Sequence, residues 1–143
     1  MTIEKIQVHL SPDMGERIAR AERLDRFFAF HIDAPTGGFG FFETDSEDIF
    51  DFQRLTHSDW VYSSSIEIGG KEFTIIQGDN KFDPDWKLTA VDKDKNPRMC
   101  GSFIILGRVG EKDGLTEEDM EMILDRMIDL RFDNMKKSVL VAD

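Results

Sequence analysis

Two successive glycines, Gly69 and Gly70, separate the runs Trp60 to Ile68 and Lys71 to Gln77. A two-residue turn of the mirror-image type needs positive φ at both central positions, and glycine adopts it without steric penalty. The pair therefore predicts an antiparallel hairpin, and with it a sheet around which the rest of the chain must be arranged. A second pair of runs, Trp86 to Val91 and Met99 to Val109, is joined by the polar stretch Asp92 to Arg98 and reads as a continuation of that sheet. Its segment SFIILG is β-branched enough for a central strand. Near the start, Ile6, Val8 and Leu10 alternate with Lys5, Gln7 and His9, the period-2 pattern of a half-buried strand.

Helix signals fall between these runs. Ser11 followed by Pro12 opens a helix predicted to extend to about Phe28, with Met14, Ile18, Ala21, Leu24 and Phe28 facing the core. Gly15 weakens its first turn by up to about 1 kcal/mol relative to alanine. The segment Asp33 to Phe42 (DAPTGGFGFF) reads as a hinge or covered loop anchored by its phenylalanines. Ser46 is then placed to cap a short acidic helix from Glu47 to about Leu55, with Ile49, Phe50 and Phe52 as its apolar contacts. For the last helix Thr116 is the predicted cap, Asp119 the capping-box acid and Leu115 a staple onto Met120. Met120, Ile123, Leu124, Met127, Ile128 and Leu130 make its predicted buried side. The tail Ser138 to Ala142 reads as a short strand or as disordered. No internal repeat or linker breaks the chain, so residues 1–143 are expected to form one domain.

Composition narrows the function. With 40% hydrophobic residues and 12 phenylalanines the chain has ample apolar area for a core. The lone cysteine, Cys100, excludes an internal disulfide framework and fits a reducing cytoplasm. No run approaches the roughly 18 apolar residues of a membrane span. The net charge of −11 argues against direct nucleic-acid or anionic-membrane binding, because both rest on lysine and arginine.

That charge is unevenly placed. Residues 1–32 and 61–110 are neutral, whereas residues 33–60 carry −6 and residues 111–143 carry −5, together the whole of −11. In the second acidic segment Glu117, Glu121, Asp125, Asp129 and Asp133 recur every four residues, which on a helix makes a ridge with steps of about 6 Å. Each like-charged i,i+4 pair costs about 0.2–0.5 kcal/mol, so local stability does not explain the ladder. It is either a solvated face or a surface for a basic protein partner. Asp45, Glu47, Asp48 and Asp51 of the first segment are the remaining candidate partner-binding residues. DNA mimicry would require the two segments to lie side by side, since duplex DNA carries one charge per about 1.7 Å.

Other constellations fail. Asp92, Asp94 and Asn96 open like a calcium loop, but Pro97 and Phe103 occupy the positions that need glycine and a bidentate glutamate, so a polar turn is the simpler reading and no metal is expected. Asp79, Asp83 and Asp85 likewise read as loop solvation. His9, His31 and His57 lack metal-ligand spacing, no serine sits in a nucleophile elbow, and Gly37, Gly38 and Gly40 lack a P-loop lysine. Neither a catalytic residue nor a cofactor is assigned. Cys100 with a histidine is only formally a nucleophile and base.

Asn96, Pro97, Gly101, the run Phe103 to Gly107 and the sequence Leu115-Thr116-Glu117-Glu118-Asp119 resemble a domain-of-unknown-function family common in bacteriophages and mobile elements. The resemblance covers about residues 72–130. It implies origin in a phage or integrated element, no established catalytic activity, and no functional residues to carry over.

These signals together predict an α+β fold: an antiparallel sheet of four to five strands with two to three helices packed mainly on one face. The leading functional expectation is a non-enzymatic cytoplasmic binding protein, an accessory or anti-defence factor steered by its carboxylates onto a basic protein surface. Two alternatives stand beside it. One is a small enzyme or ligand-binding domain using residues 36–42 as a lid over a pocket with His31 or His57. The other is a structural protein or homo-oligomer.

Overall fold

A computed structural model describes residues 2–45, 48–79, 88–110, 114–132 and 135–143. Among them the elements run β1 (Thr2–Lys5), α1 (Met14–Arg23), β2 (Phe27–Ile32), β3 (Phe39–Thr44), α2 (Ile49–Thr56), β4 (Val61–Ile68), β5 (Lys71–Gly78), β6 (Leu88–Val91), β7 (Pro97–Cys100), β8 (Phe103–Arg108), α3 (Glu117–Asp125), β9 (Met127–Phe132) and β10 (Met135–Val141). The fold is α+β. The expected antiparallel sheet is present with the order β3-β2-β8-β5-β4, and beside it stands a second five-stranded sheet, β1-β9-β10-β6-β7. Only the β10–β6 pair in the second sheet is parallel.

The first sheet is two-sided. Along β2, β5 and β8 the residues Phe28, Phe30, Ile32, Phe73, Ile75, Phe103 and Ile105 point into the main core, while Ala29, Ile76, Ile104 and Leu106 point the other way and pack against Phe52 of α2. This alternation is the strand period of two. Helices α1 and α3 add Met14, Ala21, Met120 and Ile123 to the main core, and the second sheet adds Ala90, Met99, Met127 and Leu140. So α1 and α3 share one side of the first sheet and α2 takes the opposite side. Among the described residues no helix is long and apolar enough to cross a membrane.

The glycine hairpin forms as predicted, with Gly69 at φ 61° and Gly70 at φ 78° between β4 and β5. The cap of α3 also forms: Thr116 Oγ1 accepts the Asp119 amide at 3.1 Å, and Asp119 Oδ2 accepts the Thr116 amide at 3.1 Å. Leu115 and Met120 are both buried in the main core. The tail is strand β10.

Five expectations need correction. The period-2 run Ile6 to Leu10 is not a strand; β1 precedes it, and residues 6–10 form a connection outside regular secondary structure. Helix α1 stops at Arg23 rather than Phe28, because Asp25 turns left-handed (φ 56°) and the Arg26 and Asp25 amides return to the carbonyls of Ala21 and Glu22. That is the usual glycine-type helix stop, made here by an aspartate. Phe28 passes into β2, and Leu24 is exposed. Residues 39–42 are not a loop but the body of β3, paired with β2 from Phe39↔Ile32 to Phe42↔Ala29.

The run Met99 to Val109 is two strands in different sheets. Gly101 (φ 90°) turns the chain between β7 and β8, and β8 takes a place between β2 and β5. The final helix ends at Asp125. Met127 onward is β9, whose Ile128 and Leu130 pack with Val91 and Val139 on the far side of the second sheet. Ser46, Glu47, Trp86 and residues 133–134 lie outside the described residues.

Candidate functional site

The shortened α3 dismantles the acidic ladder. Glu117, Glu121 and Asp125 remain exposed on the helix, but Asp129 belongs to β9 and is only 8% exposed. Its carboxylate accepts Ser138 Oγ at 2.7 Å and pairs with Lys136 at 3.1 Å. Asp129 is a buried sheet contact, not a docking residue, and Asp133 lies outside the described residues. Asp119, which the spacing did not mark for binding, is 1% exposed and holds Arg108 of β8 at 2.6 Å.

The other acidic segment is committed to its own surroundings. Asp48 caps α2 by accepting the Asp51 amide at 3.1 Å. Asp51 pairs with Arg54 at 3.0 Å, and that guanidinium holds its carboxyl below the usual carboxylate range. Asp45 sits 3.7 Å from Arg26. Helices α2 and α3, with the acids they carry, pack against opposite sides of the first sheet.

A histidine cluster ties α2 to the sheet. His57, left-handed at the end of α2 (φ 55°), places Nε2 2.7 Å from Asp33 Oδ1. Asp33 also accepts the Thr36 amide and hydroxyl, at 3.2 and 2.5 Å. Burial raises its pKa, but the Thr36 and His57 hydrogen bonds outweigh that and hold it below the ordinary value. Ser102 is buried, donates to Asp33 at 3.4 Å and receives the Ala34 amide at 2.8 Å. Here the aspartate, not a histidine, accepts the serine hydroxyl and lies between the two, so the histidine-centred order of a triad is not formed among the described residues. His31 Nε2 lies 2.9 Å from the Leu55 carbonyl, and burial lowers its pKa, which leaves the neutral ring as the donor. A shallow cleft of about 230 Å³ runs past His31, Phe41, Phe42, Arg54 and Leu55 with no carboxylate in its lining. Residues 39–42 are held in β3 and line this cleft as strand rather than as a loop over it.

The calcium-like stretch is a hairpin turn. Asp92 Oδ1 accepts the amides of Asp94 and Asn96, both at 2.9 Å. Cys100 is half-buried in β7. Among the described residues no three histidine, cysteine or acidic side chains gather as a metal-binding group.

What the sequence did not reveal is a groove. The connection after β1, predicted as a strand, runs alongside α3 and leaves a trough of about 350 Å³ lined by residues 5–10 with Glu121, Leu124 and Asp125. A second trough of about 220 Å³ shares Val8, His9, Leu10 and Leu124 with it and continues to Met14, Arg17, Phe39 and Phe41. The linings mix Ile6, Val8, Leu10 and Leu124 with polar side chains, the carboxylates in the first trough and Arg17 in the second. Asp125 pairs with Lys5 at 2.8 Å, and that contact lowers its pKa. Glu121 makes no hydrogen bond or ion pair among the described residues. His9, also on the groove, is exposed and bonded to neither acid.

Comparison with protein-family models, with curated proteins and with solved structures finds no match to this chain.

Proposed function

We propose that the chain is a non-enzymatic binding protein for a basic partner, which lays an apolar, lysine- or arginine-bearing segment into the groove between residues 5–11 and α3. The observation that carries this reading is Glu121, exposed at the rim of a trough that holds Ile6, Val8, Leu10 and Leu124, and with no cation paired to it among the described residues. Glu117 and Glu118, one turn earlier, extend the negative rim on the same side of the helix. The Lys5–Asp125 pair is solvent-exposed, so a partner's lysine displaces Lys5 at little cost. Carboxylates placed this way speed encounter with a basic surface, and Ile6, Val8, Leu10 and Leu124 supply the affinity. The lone cysteine favours a cytoplasmic setting, and the resemblance over residues 72–130 favours an accessory or anti-defence role in a phage or mobile element.

Selection of a random peptide display library against the wild-type chain tests the proposal. Enriched peptides carry lysine or arginine among apolar residues, and Glu121→Lys weakens their binding about tenfold, equivalent to about 1.4 kcal/mol. Peptides without basic residues, or equal binding by the variant, would overturn it.

A further inference from the structure

The hairpin between β4 and β5 turns through two left-handed glycines, Gly69 at φ 61° and Gly70 at φ 78°. Its ladder closes at Ile68 and Lys71, so the amides of the two glycines are not needed to hold the turn and stand side by side as spare donors. Successive backbone N–H groups of this kind make a concave nest for an anion. Glycine is required here, because a side chain at either position would be strained, and a Cβ at Gly69 would also meet Met122 Sδ of α3 at 2.6 Å. That contact seats the turn on α3 beside Arg126, the residue that ends the helix.

Asp143 fills the nest. Its Oδ1 accepts the Gly69 amide at 3.0 Å and its Oδ2 the Gly70 amide at 2.6 Å, while Arg126 Nη1 donates to Oδ1 at 3.1 Å. Burial raises the Asp143 pKa, but these donors outweigh it and hold the carboxyl below the usual carboxylate range, so the ionised form is the one bound. The backbone beyond β10 is anchored separately, the Ala142 amide on the Val91 carbonyl at 2.8 Å and the Asp143 amide on the Glu67 carbonyl at 2.9 Å. Rotation about the Asp143 side-chain bonds therefore empties the nest without unpairing β10. The side chain is 14% exposed, so water already reaches it.

We infer that Gly69, Gly70 and Arg126 form a carboxylate-binding site that the chain's own Asp143 closes, so that a carboxylate from outside binds only when this side chain is displaced. The donor set selects the ligand. Two oxygens meet three donors, and one guanidinium balances the single negative charge of a carboxylate but not the two of a phosphate. The amides and the guanidinium come from two elements already packed together, so the site is preformed. None of these residues lines either trough of the proposed groove, so the site stands or falls independently of that reading.

Acetate is the probe, and the full chain carrying Asp143→Ala is the host. The variant melts about 5 °C below the wild type, acetate at neutral pH restores most of that loss, and sodium chloride at equal ionic strength restores none. In amide-resolved NMR, acetate moves the Gly69 and Gly70 signals of the variant along a saturable curve. It leaves the same signals of the wild type in place, because the anchored side chain competes at an effective concentration that free acetate does not reach. Adding Arg126→Gln to the variant weakens acetate binding about tenfold. Should Asp143→Ala fail to fold by circular dichroism, Asp143→Asn keeps an acceptor for the amides without the charge, and acetate shifts the same two signals in it. Rescue by chloride as well as by acetate, tighter binding of phosphate than of acetate, or no saturable shift at Gly69 and Gly70 in the variant that folds overturns the inference.

Discussion

Helices α2 and α3 both begin with acids, yet they use them differently. On α2 the carboxylates are engaged locally: Asp48 in the cap, Asp51 with Arg54, and nearby Asp45 with Arg26. On α3 one acid, Asp119, is buried in the cap and in the Arg108 pair, whereas Glu117, Glu118 and Glu121 face solvent. Net charge therefore says little about where a partner docks. What matters is which carboxylates the fold leaves unengaged and whether an apolar surface adjoins them.

The sharpest way to break the contrast is Asp119→Ala. It removes the capping box and the ion pair of the buried Asp119 carboxylate with Arg108, so unfolding stability should fall by about 3 kcal/mol, within the range for breaking a buried pair. A loss below about 1 kcal/mol by denaturant titration would mean that Asp119 is no more structural than its neighbours. Asp48→Ala should cost about 1 kcal/mol as a lost cap. Next comes pH. Burial depresses the His31 pKa below 6.5, so the unfolded chain binds the proton more readily than the folded one. Stability is full above about 6.5 and declines as pH falls below it. His31→Gln should flatten that slope while keeping a donor toward Leu55. The depressed aspartates Asp33, Asp51 and Asp125 begin to lose their contributions only as pH drops below about 3.8, lower than the pH at which the His31 loss begins. Smallest of all, Glu121→Lys should change stability by less than about 0.5 kcal/mol, as for an exposed surface position.

The sequence revealed structure where the signal was local. Gly69-Gly70 encodes its turn through φ alone, and Thr116 with Asp119 closes its cap within four residues. Distant partners decided the rest. Met127 to Leu130 fits a helical stripe as well as a strand, and pairing with β1 and β10 settles it. The stop at Asp25 uses a residue without glycine's signature, and Phe39 to Phe42 become β3 only by lying against β2. Of the groove, Glu121 and Asp125 were marked by their spacing. Its other wall was not, because the alternation Ile6, Val8, Leu10 imitates a strand where the chain instead lies beside α3 outside either sheet.

The central claim is that the acids of α3 bind and those of α2 build. It is tested most directly by measuring, side by side, melting temperature and affinity for a selected basic apolar peptide in two double variants, Glu117→Lys with Glu121→Lys and Asp48→Ala with Asp51→Ala. The first should lose the peptide at an unchanged melting temperature, and the second should melt earlier with its affinity intact. The opposite pairing of effects, or equal loss of affinity in both, would contradict the account.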